Sequence, residues 1–218
     1  MKCFVIAMNK EAAPIVAKMA SVGEKVISGR KVYTGKLFGE KVAVIVCGVG
    51  KVNAACGAQI AIDKLKAEVI INIGVAGGLT PNMKVGEIYS ISEVVQYDFD
   101  LTQLNGTKIG TLDECDENYL PLKAPSCYPL KKLATADRFN DDKGDFKLIT
   151  KTLGAEIRDM ECGGMAQACM HADVPLYSFK IISDLAGSGS TTEQYLENLS
   201  LCFKTLIREL DNIVKVTE

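Results

Sequence analysis

Four short, largely apolar runs, at residues 2–8, 42–47, 68–73 and 176–182, constrain the fold more than any other feature of this chain. A run of this length without polar alternation suits a strand covered on both faces, and each run stops at or near a glycine or an acid: Glu11, Gly48, Gly74 and Asp184. Stretches with helical spacing follow at 11–19, 53–66 and 193–215, and Pro14 falls where a first helical turn tolerates a missing N–H. Residues 30–37 and 41–46 alternate as a hairpin joined by Phe38-Gly39-Glu40. Further along, 85–97 and 156–160 read as strands, 143–153 and 163–171 as helices, and Leu130–Thr135 as an ordered segment between them. Two glycine turns are expected, Cys47-Gly-Val-Gly50 and Gly74-Val-Ala-Gly-Gly78. The alternation predicts an α/β chain: a single domain over residues 1–218 with a central mixed β-sheet flanked by helices, and a ligand site at the carboxyl ends of its strands. A stretch at about 103–129, rich in Gly, Asp, Asn and Pro, reads as a variable flap within that domain.

Composition removes several classes of function. The 25 Lys and Arg against 27 Asp and Glu leave a net charge of −2, which argues against a nucleic-acid partner. No apolar run approaches the roughly 20 residues of a bilayer span, so no membrane partner is expected. The eight cysteines are dispersed through apolar runs with no signal-peptide pattern ahead of them, which predicts reduced thiols and a cytoplasmic location. With one histidine, His171, and no C-x-x-C spacing, the usual zinc ligands are missing. Gly48-Val-Gly-Lys51 lacks the P-loop spacing and the turn at Gly74 is not G-x-G-x-x-G, so neither metal nor cofactor is expected.

The chemistry-bearing residues are acids at strand ends. Glu11 follows the first run, Glu161 the strand at 156–160, and Asp184 the run at 176–182. Any one of them reads more readily as a solvated turn acid or a helix N-terminal charge; three that could converge on one pocket bring acid–base chemistry level with that reading.

Eight motifs in order resemble the purine nucleoside phosphorylase/nucleosidase superfamily: Met8-Asn-Lys-Glu11, Tyr33-Thr-Gly35, Gly48-Val-Gly-Lys-Val52, Ile71-Asn-Ile-Gly-Val-Ala-Gly-Gly-Leu79, Asp98-Phe-Asp-Leu-Thr102, Ala136-Asp-Arg-Phe139, Asp159-Met-Glu161 and Ile182-Ser-Asp-Leu-Ala186. The chain is most similar to the 5′-methylthioadenosine/S-adenosylhomocysteine nucleosidase branch, along nearly its whole length except 105–129. The resemblance implies a nucleoside phosphorylase-like fold, a purine nucleoside as substrate and hydrolysis of its N-glycosidic bond. It implies that Asp184 serves the purine N7 as acid, that Glu11 activates water, and that Glu161 with the Met160 backbone grips the ribose hydroxyls. Phe139 would stack on the base, the Asn140 backbone would meet its edge, Val75 to Gly77 would line the pocket, and Ser183 and Lys180 would complete it. A homodimer whose partner closes part of the pocket is also implied.

Three departures weigh on substrate choice. Val75 stands where the branch usually has a small hydroxyl residue, and Lys180 where it has Arg, whose planar fork a point charge does not reproduce. The segments 105–110 and 187–192, which in the family shape the 5′ pocket, are here small and polar. Phosphorolysis stays open beside hydrolysis, although only four of the 25 basic residues are Arg and none lies in a glycine turn. A nucleoside-binding relative without activity is the remaining alternative.

Overall fold

The computed structural model describes residues 1–217, in which the apolar runs become strands of one ten-stranded mixed sheet. In chain order the elements are β1 (Lys2–Ile6), α1 (Asn9–Val16), β2 (Ala20–Ile27), β3 (Arg30–Leu37), β4 (Glu40–Val46), α2 (Lys51–Leu65), β5 (Val69–Gly78), β6 (Ile88–Gln96) and α3 (Thr102–Asn105). There follow β7 (Leu120–Pro121), β8 (Leu130–Thr135), α4 (Lys143–Lys147) continued by a π-helical stretch (Leu148–Leu153), β9 (Ile157–Asp159), α5 (Cys162–Ala172), β10 (Leu176–Leu185) and α6 (Thr191–Val216).

The largely apolar runs follow from a sheet covered on both faces. Along β1, Cys3 and Val5 pack with Ala54 and Ala58 of α2 and Met165 of α5, whereas Phe4 and Ile6 pack with Ile15 of α1 and Leu206 and Leu210 of α6. Successive side chains of a strand point to opposite faces, so a strand between two helical layers needs apolar residues at every position. On α6 the buried residues Cys202, Leu206, Leu210 and Ile213 recur at helical spacing as one stripe. α2 and α5 approach backbone to backbone: a Cβ on Gly164 would lie 2.3 Å from the Lys51 carbonyl oxygen.

The sheet both forks and closes. β10 pairs in parallel along one edge of β5. On the other edge β1 pairs through Ile71, and β9 takes over at Gly77 and Gly78. Since β10 also pairs β6, β6 pairs β8 and β8 pairs β9, five strands form a ring that returns to β5. Beyond the fork, β1 leads through parallel β4 to the antiparallel β3 and β2.

Local expectations are corrected at three places. Gly74 to Gly78 do not form a turn; they continue β5, paired with β10 from Lys180↔Gly74 to Leu185↔Gly78. α1 starts two residues earlier than its apolar spacing suggests because the Glu11 side chain reaches back to the Met8 amide, so Pro14 lies inside the helix rather than in its first turn. β2 was not anticipated at all: Ala20 to Val26 are exposed, so it has no buried face to leave a pattern. Within the single chain, 105–110 lie outside the main cavity. The excursion instead returns over β6 through the β6–β7 pairing, with Leu112 and Leu120 buried in the core. All eight cysteines are unpaired, and five of them are buried.

Candidate active site

The fork in the sheet creates the site. With no strand on that edge between Ile71 and Gly77, the Val75 amide is free, and it donates to Glu11 Oε1 at 3.1 Å while the Met8 amide donates to Oε2 at 3.2 Å. Gly74 makes this approach feasible, because a Cβ there would lie 2.9 Å from Glu11 Oε1. Burial pushes the Glu11 pKa up, partly offset by the Val75 amide, the Lys180 charge and the Met8 amide.

Asp184 owes its position to a β-bulge. The β10–β5 register slips between Ile182 and Asp184, leaving Ser183 as the extra residue. Such an insertion re-aims the side chains that follow it. Ser183 Oγ lies 2.8 Å from Asp184 Oδ2, and α6 braces the bulge through Asn198 Nδ2, which donates to the Ser183 carbonyl at 2.9 Å. Burial raises the Asp184 pKa against the Ser183 hydrogen bond and the nearby Arg158 charge.

Glu161 precedes α5 and meets the start of α2. Its Oε1 accepts from the Gly50 amide at 3.0 Å, and Asp137 Oδ1 accepts from the Lys51 amide at 2.7 Å, so two carboxylates occupy the positive end of one helix. Gly50 adopts φ +98° to present its amide. Burial, reinforced by neighbouring Asp159, outweighs these contacts and pushes Glu161 up to about 7.

These three carboxyl groups line one cavity of about 290 Å³ together with Val75, Gly77, Phe139, Met160 and Ser183. Phe139 is half-exposed and meets Tyr195 of α6 edge-on, with ring centroids 6.0 Å apart. Lys10 Nζ lies 4.6 Å from the Tyr195 ring centroid on the far end of that pair. A hydrophobic cavity with a few convergent polar groups is the usual form of a small-molecule site. Among the described residues no group of His, Cys, Asp and Glu could hold a metal ion.

A model of the phosphorylase superfamily matches residues 2–133 and 131–215. The chain belongs to this superfamily. It is 30% identical to the 5′-methylthioadenosine/S-adenosylhomocysteine nucleosidase of Anoxybacillus flavithermus, over 94% of this chain and 95% of that one. Among solved structures it resembles the nucleosidase of the same name from Colwellia psychrerythraea in complex with adenine, with a TM-score of 0.87 and 26% identity over 97% of this chain and 95% of that one. The futalosine hydrolase of Helicobacter pylori, at 20% identity and a TM-score of 0.89 over 98% of this chain and 97% of that one, shares the fold.

Within this superfamily fold, two expected site residues stand outside the cavity lining. Lys180 lies behind it, its Nζ 2.8 Å from Asp159 Oδ2, with both side chains almost wholly buried. Asp159 also accepts from Thr135 Oγ1 at 2.5 Å and the Cys162 amide at 2.9 Å. Burial alone would pull Lys180 down, but Asp159, the Cys162 thiol and Glu161 outweigh it and hold the ammonium charged. Asn140 turns its side chain to Asp145 Oδ2 at 2.9 Å. Of segment 187–192, Thr192 reaches the lining. His171 sits near the end of α5, exposed, its Nε2 3.1 Å from Glu114.

The lining also contains residues that sequence reading missed: Arg138, Arg158, Tyr195 and Leu196. Arg158 directly precedes Asp159-Met-Glu161 on β9, and its place beside a motif was the one available signal. Tyr195 sits one helical turn after Thr192, a face that became meaningful only once the start of α6 was fixed.

Proposed function

We propose that this protein hydrolyses the N-glycosidic bond of a purine nucleoside, with 5′-methylthioadenosine or S-adenosylhomocysteine as substrate and free adenine as product. The observation that carries this reading is the convergence of Glu11, Glu161 and Asp184 on one largely apolar cavity beneath Phe139. The names of the relatives support the same substrates.

In this mechanism Asp184, whose proton is held more tightly because burial raises its pKa, gives that proton to N7 as the bond from C1′ to N9 breaks and its electron pair passes to the base. Glu161 accepts hydrogen bonds from the ribose hydroxyls, which strengthen as positive charge grows on the sugar. Glu11, fixed by two amides, takes a proton from the water that attacks C1′. Lys180 does not touch the substrate; its charge sits behind Glu11 and Glu161 and favours their ionised forms. Phe139 covers the base.

The working molecule is a homodimer, a reading supported by exposed Val49 at the cavity and exposed Val52 beside it. The cytoplasm is its compartment, which unpaired cysteines suit. Among the described residues no helix is long and apolar enough to cross a membrane.

One observation favours phosphorolysis instead. A second, more open cavity shares Ala7, Met8 and Val49 with the first and is bordered by Lys10, Arg30 and Lys31. Against it, the Arg30 guanidinium already donates to Asn53 Oδ1 at 2.5 Å. Adenine and reducing-sugar release from both nucleosides, measured with and without phosphate, decides the matter. Equal release without phosphate is expected. A strict phosphate requirement with ribose 1-phosphate products would assign a phosphorylase, and tight binding without turnover would assign a binding protein.

A further inference from the structure

The cavity lining contains two arginines that the mechanism above leaves unused, and one of them, Arg158, has no hydrogen-bond partner among the described residues. Arg158 of β9 lies opposite Gly77 of β5, and its side chain runs over the bare glycine. A Cβ at Gly77 would sit 3.1 Å from Arg158 Nε and 3.0 Å from Asp184 Oδ1, so guanidinium and carboxyl share one wall. The Arg158 side chain is only 11% exposed, and its nearest carboxylate, Asp141, stands 3.9 Å from Nη2, beyond hydrogen-bond length. Among the described residues none of its guanidinium donors makes a hydrogen bond. Arg138, the other arginine of the lining, is engaged by Asp145 at 2.9 Å. Arg158 borders this cavity and a neighbouring one that includes Asp141 and Gly187, and an enclosed guanidinium with free donors is costly unless something accepts from it.

We propose that Arg158 is a specificity residue that reads the C6 position of the purine and admits bases carrying an oxygen there. The inference rests on the reading that Asp184 serves N7. On a purine, N7 lies between C8–H and the C6 substituent, and only the C6 side offers a polar group, so a hydrogen-bond donor flanking Asp184 finds its partner at C6. A 6-amino group is a donor and a 6-oxo group an acceptor. Arginine has donors only, and at nucleic-acid edges it pairs with guanine O6 and N7, whereas amide side chains pair with adenine N6 and N7. An amino group can be met by an Asp184 oxygen. A 6-oxo group finds its donor on this wall in Arg158.

The test is the ratio of kcat/KM for 5′-methylthioinosine over 5′-methylthioadenosine, in the wild type and in Arg158→Leu and Arg158→Lys. The wild type should process the 6-oxo nucleoside within about tenfold of the 6-amino one, and the leucine variant should lower the ratio at least about tenfold, in line with the discrimination of one good arginine–base contact. The lysine variant keeps a donor and should fall between the two. A ratio unchanged in both variants, or a wild type that turns over only the 6-amino nucleoside, overturns the proposal. If neither nucleoside is hydrolysed, the nucleosidase reading itself fails. Calorimetry with free hypoxanthine and adenine then still decides about Arg158: selective loss of hypoxanthine binding in the leucine variant supports the inference, and equal loss of both bases overturns it.

Discussion

Glu11 and Asp184 are both pushed up by burial, yet the proposed reaction requires opposite protonation states of them. Their hydrogen bonds make the difference. Glu11 receives two backbone amides, which favour its ionised form, whereas Asp184 receives no backbone amide and has one serine hydroxyl and the neighbouring Arg158 charge set against burial. Asp184→Asn keeps the shape but has no proton to give, and a loss of at least about 100-fold in kcat/KM is expected, the usual scale of general acid catalysis. Glu11→Gln should fall by a similar factor. The wild-type profile should drop at high pH as Asp184 ionises and at low pH as Glu11 takes a proton; in Asp184→Asn the residual activity should lack the high-pH limb. Glu161 affects stability as well. Its pKa rises from about 4.5 to about 7 on folding, so the folded chain binds the extra proton across that interval. Stability from this group is therefore full below about pH 4.5 and is lost as pH rises through 7, by at most about 3 kcal/mol for the bare shift. Urea midpoints at pH 5 and pH 7.5 should differ less in Glu161→Gln than in the wild type; an identical pH dependence would remove Glu161 from this account.

The contact of α2 with α5 depends on the missing side chain at Gly164. Alanine there would put a methyl group 2.3 Å from the Lys51 carbonyl oxygen, and backbone cannot yield as a flexible side chain does. Gly164→Ala should cost about 1 to 3 kcal/mol or more as overpacking, despite the better helix propensity of alanine. Thermal unfolding should record that cost as a drop of several degrees, roughly 2 to 4 °C per kcal/mol at this chain length. The start of α5 carries Glu161, so a shift there reaches the cavity, and activity should fall with stability. This element shows where the sequence was legible. β1, β4 and β10 could be read because double burial leaves a largely apolar run, Glu11 and Asp184 were legible as acids just beyond β1 and near the end of the β10 run, and Glu161 as the acid after β9. Gly74 to Gly78 misled because glycine was read as punctuation, whereas two of these glycines clear space beside Glu11, Asp184 and Arg158. Lys180 could not be placed from its neighbours: its burial depends on Asp159, 21 positions earlier and on a different strand. β2 left no trace because its residues face solvent.

At the scale of the molecule, the proposed homodimer should appear in light scattering as twice the 23.5 kDa chain mass at working concentration. A stable, active monomer would remove the partner from the site. Exposed Val52 of α2 gives a point of intervention, since Val52→Asp adds a charge to a surface expected to be buried between copies and should shift the mass toward the monomer. The ring of β5, β10, β6, β8 and β9 carries a different consequence. Strands joined in a circle leave no open border, so the part of the sheet that holds the cavity has little unpaired backbone with which to recruit a foreign strand. Among the described strands longer than two residues, only β2 is paired on a single side. Its central Gly23-Glu-Lys25 segment, charged and low in β-propensity, sits where runaway association of partly unfolded chains would begin, so β2 works as a gatekeeper for the whole sheet.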